Sequence, residues 1–165
     1  MKNKVWLVYV LVAVAAVLGV TMVAGASANH IPVTGVEMPL CLPPAPHPDC
    51  TAGEWTFPDG NQHVRNWVLV YQVDGSDDRI IGLNRLVANA NWDADGLGPG
   101  WGTFHHQPAA YPEGFWEGTW SAQMTTDGYV SRIVGKGYGQ LDGLKYQALE
   151  VNGYIEGEIL ELSSN

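Results

Sequence analysis

The alternation of side chains between Phe115 and Met124 leaves this chain little choice of fold. Trp116, Gly118, Trp120, Ala122 and Met124 share one parity, and Glu117, Thr119, Ser121 and Gln123 share the other. A period of two places the first set on one face of a strand and the second on the opposite face, as in a half-buried β-strand. The run continues through Thr126-Asp127-Gly128 into a second strand-like stretch that breaks at Gln140-Leu141-Asp142-Gly143. The rest of the chain is expected to close around the tryptophan-bearing face.

The remaining segments repeat this grammar. From Asn29 to Ala52 there is no periodicity and prolines are frequent, so an irregular arm is expected. Glu54 to Phe57 reads as a short strand ending at Pro58-Asp59-Gly60. His63 to Val73 is rich in β-branched and aromatic residues, and Arg79 to Asn91 and Trp101 to His106 read as further strands. After the central pair come Leu144 to Val151, an Asn152-Gly153 hairpin signal, and Tyr154 to Leu162. No segment beyond residue 28 holds an apolar 3.6-residue period for three turns. The expectation is therefore all-β: a single small antiparallel up-and-down β-barrel of about eight strands over residues 53–165, since closure removes exposed edges. A β-sandwich is the alternative.

The N-terminus speaks to compartment. Lys2 and Lys4 precede an apolar run from Val5 to Val23, which ends in Ala24-Gly25-Ala26-Ser27-Ala28. A basic start, an apolar middle and an A-x-A end make a secretory signal peptide over residues 1–28, and the length of the apolar run leaves a retained membrane anchor as the alternative. Cys41 and Cys50 enclose a proline-rich loop, and in an exported chain they are expected to form a disulfide that pins the arm at 29–52. The formal charge is −9, and would be about −11 without Lys2 and Lys4. So acidic a surface lacks the cationic footprint that nucleic acid requires, and contact with a membrane is expected through the N-terminal segment alone.

Glycine recurs inside strands: Trp101-Gly-Thr-Phe104 and Glu117-Gly-Thr-Trp120 share one pattern, and Gly135-Lys-Gly-Tyr-Gly139 extends it. Bending of coiled strands is the expected reason, and room for a ligand beside the aromatic rings is the other. The segments WEGTW (116–120), GKGYGQLDG (135–143) and GYIEGEI (153–159) resemble the glycine-punctuated final strands of allene oxide cyclase-like barrels, which stand near dirigent proteins and other calycin-type barrels. The resemblance covers roughly the last third to half of the chain. It implies an eight-stranded barrel with an apolar pocket and, in some members, cyclisation or stereochemical guidance of a bound small molecule. No pocket residue of that family maps onto these segments, so the activity is not carried over.

Candidate chemistry is sparse. Asn91, Asp93 and Asp95 before Gly96 match the opening of a calcium loop, with oxygen ligands at alternate positions, but Gly102 stands where the closing acid belongs. A solvated hairpin tip accounts for the same residues. His105 and His106 are adjacent on a strand and must face opposite sides, so one of them points inward toward Trp116 or Trp120. Glu117, Glu150, Glu156 and Glu158 sit on strands, and a carboxylate pair would depend on their separation in space. Arg132 and Lys136 share a face with Val130, Val134 and Tyr138, read as outward. No G-x-S-x-G elbow or phosphate-cradling loop occurs.

Three functions follow. The first is an exported barrel that binds a small apolar or amphipathic molecule against Trp116, Trp120, Tyr138, Tyr146 and His105. The second is a cyclase or isomerase that uses the same pocket, with His105 or a glutamate moving a proton. The third is a structural or interaction protein of the cell envelope whose aromatics fill the core. No cofactor is required by any of them, and calcium enters through Asn91, Asp93 and Asp95 alone.

Overall fold

The computed structural model describes residues 29–42 and 46–161; the expected signal segment lies outside the described residues. The strands in chain order are β1 (Asn29–Pro39), β2 (Glu54–Thr56), β3 (Gln62–Gly75), β4 (Gly82–Trp92), β5 (Gly98–Pro108), β6 (Gly114–Thr125), β7 (Gly128–Gly139), β8 (Leu144–Val151) and β9 (Tyr154–Glu161). All neighbours pair antiparallel, from β3 in sequence order to β9, then β9 to β1 and β1 back to β3. Eight strands thus form a closed up-and-down ring, and β2 lies beside it on the edge of β3.

The arm expected at 29–52 is half wrong. Asn29–Pro39 is a full strand of the wall, pairing with β9 from Asn29 to Val36 and with β3 from Gly35 to Pro39. Ile31, Val33, Gly35 and Glu37 turn inward, but the proline pair and the inward acid hid that alternation. Glu54–Thr56 contributes three edge residues in place of the wall strand expected there.

What is irregular is the described chain after Pro39, residues 40–42 and 46–53, parts of which cover more of the β3 edge. Leu40 donates its amide to the Val70 carbonyl at 2.8 Å, and Thr51 bridges Val68. The Cys41–Cys50 disulfide is formed, and Cys41 Sγ accepts the Val70 amide at 3.1 Å. The seam of the barrel is therefore closed by β1, the disulfide loop and β2 in succession. A barrel edge left open would present unpaired backbone groups, so this covering completes the ladder.

Inside, the two halves differ. Ile80 and Leu141, both from connections between strands, fold into the end where β3, β5, β7 and β9 finish. They pack with Val33, Val73, Trp116, Tyr146 and Ile159 into a solid core. Trp116 Nε1 donates to the Arg79 carbonyl at 2.7 Å, fixing that connection over the end. The opposite end carries the two-residue turns of β6–β7 and β8–β9, the β4–β5 hairpin, and the connection from β1 to β3 that includes β2. Asn152 (φ 51°) and Gly153 (φ 86°) both take the left-handed region, as a type I′ hairpin requires.

The glycines within strands serve the bending of the wall, and the room beside two of them is filled by the Phe104 ring. Phe104 pairs with Gly118, and Gly118 with Gly135, so the phenyl ring lies across two glycines in one row. A Cβ on Gly118 would stand 2.8 Å from the Phe104 ring, and one on Gly135 2.7 Å. The same Gly118 Cβ would strike the Val134 carbonyl of the neighbouring strand, which marks the close coiling of the wall.

Candidate functional site

In the half away from Leu141, the barrel encloses a cavity of about 190 Å³. Its wall is mostly apolar: Trp67, Leu69, Leu86, Phe104, Trp120 and Met124 among others. The β-bulge between Val64 and Trp67 sets its rim. Val64 and Trp67 face Ala90 and Ala88 respectively, so both point inward, and Asn66 absorbs the extra residue at φ 55°. Trp67 and Trp92 meet edge to face at 6.4 Å, and Trp55 from β2 packs on both, at 5.8 and 6.0 Å. A bulge and a three-residue strand thus build an aromatic rim at the mouth.

The floor is polar. Glu37, Asn84, Phe104 and Ile133 line both this cavity and a smaller void beneath it, which places them between the hollow half and the packed half. Asn84 Nδ2 donates to Glu37 Oε1 at 2.8 Å, and Asn84 Oδ1 is buried without a donor. Glu150 stands close by on β8 and accepts the Tyr129 hydroxyl. Glu37 is 8% exposed and Glu150 5%, so two carboxyl groups share one buried region.

Burial pushes the Glu37 carboxyl up to about 8, and the neighbouring Glu150 charge adds to the rise against the Asn84 hydrogen bond. Burial raises Glu150 as well, opposed by its bonds from Tyr129 and the Gly153 backbone. Burial and the charges of these two acids lift the hydroxyls of Tyr71, Tyr129 and Tyr146 above the usual tyrosine range. His106, on the underside of the floor, is pushed down to about 4 by burial and by His105, so it is neutral at pH 7.

The sequence-derived candidates divide cleanly. Trp120 lines the cavity. Trp116 and Tyr146 face inward but belong to the packed half, their rings 5.7 Å apart. Tyr138 and His105 are on the outer wall. There His105, Phe115 and Tyr138 stack across three strands at 4.9 and 5.2 Å, with the Lys136 ammonium 5.2 Å from the tyrosine ring. The pocket roles expected for Tyr138 and His105 are therefore corrected: parity on β5 and β7 turns both away from the axis, and His106 is the inward member of its pair. Arg132 and Lys136 are exposed, as read. Of the four glutamates singled out, Glu150 alone enters the barrel.

Asn91, Asp93 and Asp95 lie at the β4–β5 hairpin. Asn91 Oδ1 accepts the Arg65 guanidinium at 2.7 Å, and Asp93 Oδ1 accepts the amides of Asp95 and Leu97 at 3.0 and 2.9 Å. Asn91 Oδ1 thus holds an arginine and Asp93 Oδ1 a turn. Among the described residues no group of three or more His, Cys, Asp or Glu side chains gathers to hold a metal.

Glu37, Asn84 and Tyr129 were not singled out from sequence. The signal for Glu37 existed: it continues the parity of Ile31, Val33 and Gly35. An acid in an apolar register is a conspicuous exception once the strand is recognised. Comparison of the chain with protein-family models, with curated proteins and with solved structures finds no match.

Proposed function

We propose that this protein is exported and binds a small amphipathic molecule in the upper half of its barrel, apolar body against the tryptophans and polar end on the Glu37–Asn84–Glu150 floor. The observation that carries this reading is the asymmetry of the interior, with one half solid and the other hollow, apolar-walled and polar at a single place. Binding sites have this composition: mostly apolar surface with a few polar groups that fix orientation. The cavity of about 190 Å³ is somewhat larger than the roughly 150 Å³ apolar cavity that accepts benzene. The occupant is accordingly ring-sized. Export rests on the basic, apolar and A-x-A parts of residues 1–28, and the Cys41–Cys50 disulfide suits an oxidising compartment. The resemblance of the final strands to allene oxide cyclase-like barrels supports the same reading, since it implies an apolar barrel pocket.

Native mass spectrometry of protein recovered from its own host tests this directly, with tryptophan emission read during titration by ring-sized compounds. A retained small molecule, or saturable emission changes that vanish when Trp120 is replaced, is the expected result. A bare protein mass together with a flat emission response would overturn the proposal.

A second reading is favoured by one observation: Glu37 is a neutral acid at pH 7 beside a second carboxyl. Two acids whose environments differ can divide the roles of proton donor and acceptor. A cyclase or isomerase reaction on the bound molecule would then use Glu37 and Glu150. Solvent-deuterium incorporation into a captured ligand, lost in Glu37→Gln, is the expected sign of it.

A further inference from the structure

The unpartnered polar atoms of the cavity fall in two places: Asn84 Oδ1 at the floor is an acceptor, and the Trp92 and Trp120 indole N–H groups of the wall are donors. Glu37 and Glu150 are acceptors when ionised, and Asn84 Oδ1 is a third acceptor, buried and unpartnered with the residue 6% exposed. Asn84 has already committed its amide nitrogen to Glu37, and Tyr129 its hydroxyl to Glu150. None of the described residues lining the cavity is lysine or arginine. A buried acceptor without a donor costs free energy, and a buried carboxylate without a cation costs more, which is why Glu37 holds its proton. Above this floor the wall is aromatic, with Trp67, Trp92 and Trp120 among its residues. Aromatic faces attract cations, especially where water is excluded. The floor acceptors and the aromatic wall are satisfied by the same kind of group, a cation with an apolar body.

We infer that the molecule bound in this barrel is a small protonated amine with a ring-sized apolar body, its ammonium seated between Glu37, Glu150 and Asn84 Oδ1. An ammonium has three donors, which match the floor acceptors Glu37, Glu150 and Asn84 Oδ1 once Glu37 gives up its proton on binding. An anion would meet two acids, and a purely apolar ligand would leave Asn84 Oδ1 stranded. The inference rests on the binding function proposed above and names the chemical class of the ligand.

The experiment uses three probes of one skeleton on the mature, disulfide-bonded protein: 2-phenylethylamine, 2-phenylethanol and phenylacetate, titrated by calorimetry at pH 7.5. The amine is expected to bind at least roughly tenfold more tightly than the alcohol, with the carboxylate weakest, as charge-assisted hydrogen bonds and cation–π contact predict. In the Glu37→Gln, Glu150→Gln double variant the ratio of amine to alcohol affinity is expected to fall to about one, a readout independent of the absolute affinity of either. Gln keeps the volume and the hydrogen-bonding capacity of each acid. Should the double variant fail to fold, Glu150→Gln alone is expected to show a reduced preference. If the alcohol binds as well as the amine, or the carboxylate better, the amine assignment falls and the binding function stands. If none of the three binds, both fall.

Discussion

The two ends of this barrel are built from the same strands and do opposite things. At one end the connections Ser76–Ile81, Ala109–Glu113 and Gln140–Gly143 are four to six residues long, and two of them send an apolar side chain, Ile80 or Leu141, into the barrel. At the other, Thr126-Asp127 and Asn152-Gly153 are two-residue turns, Asp93–Leu97 is closed by its own aspartate, and the longer connection from β1 to β3 runs along the β3 edge, bringing Trp55 to the rim. A tight turn has no side chain to spare for the interior. The connections therefore decide which half becomes core and which becomes pocket, and the strands supply the lining.

That contrast is broken most severely by removing a large residue from the solid end. Trp116 is 1% exposed, touches Tyr146 and ties down the Arg79 carbonyl. Trp116→Ala should cost about 3–5 kcal/mol, as transfer and cavity terms add in a site that cannot collapse. Trp120→Ala, four residues along on the same face, opens onto space that already exists. Its cost should be roughly 1–2 kcal/mol, because little new void is created. Urea unfolding of the two variants checks the difference. Equal costs would mean that the upper half is packed as tightly as the lower.

The acid–base residues of the interior set a pH dependence with two opposed parts. The Glu37 carboxyl titrates near 4.5 in the unfolded chain and near 8 when buried. The folded protein keeps a proton that the unfolded chain loses, so this contribution is complete below 4.5 and declines as pH rises to 8. His106 does the reverse: its contribution is complete above 6.5 and declines as pH falls toward 4. Between 4.5 and 6.5 the two slopes oppose each other, and above 6.5 Glu37 acts with only the parallel effect of Glu150 beside it. Stability should fall between pH 6.5 and 8 by roughly 1 kcal/mol per unit. Glu37→Gln should flatten that fall, and a melting temperature unchanged across this range in the parent protein would show that Glu37 is solvated.

The boundary between the halves is held by Phe104 lying across Gly118 and Gly135. Gly118→Ala places a methyl group 2.8 Å from that ring and against the Val134 backbone. A cost of roughly 1–3 kcal/mol is expected, the usual result of overpacking. Phe104→Leu in the same chain should recover part of it by freeing the space over Gly118. A double variant no better than the sum of the singles would assign the glycine to backbone coiling alone.

The closed ring was legible in the sequence because most strands alternate cleanly and their turns carry Gly, Asn and Asp. Two things were not. Asn29–Pro39 failed to announce itself, since Pro32 and Pro39 argue against a strand and Glu37 interrupts the apolar parity. The residue that hid the strand is the one that shapes the site. Inward and outward were also ambiguous on β5 and β7, where each parity carries aromatic or β-branched side chains: Tyr138 and Val134 outside, Ile133 inside. Alternation says that a strand has two faces, and only the register across the whole ring says which face is which. No local pattern could have brought Glu37 and Glu150 together, because their approach depends on β9 lying between their strands.

The gentlest test of the contrast fills the hollow half without touching the solid one. Ala122 lines the cavity and pairs with Gly100 and Ser131, so a larger side chain there projects into empty space. Ala122→Leu should change stability by no more than about 0.5 kcal/mol in either direction, since added apolar contact offsets lost side-chain freedom. Ligand binding should nevertheless be lost, because a leucine occupies much of a cavity of about 190 Å³. The pairing of those two outcomes is what separates a pocket from a core: in packed protein the same substitution costs stability, and in a vacant site it costs function. A loss of 2 kcal/mol or more, the scale of an overpacked core, would show that Ala122 sits in a filled interior.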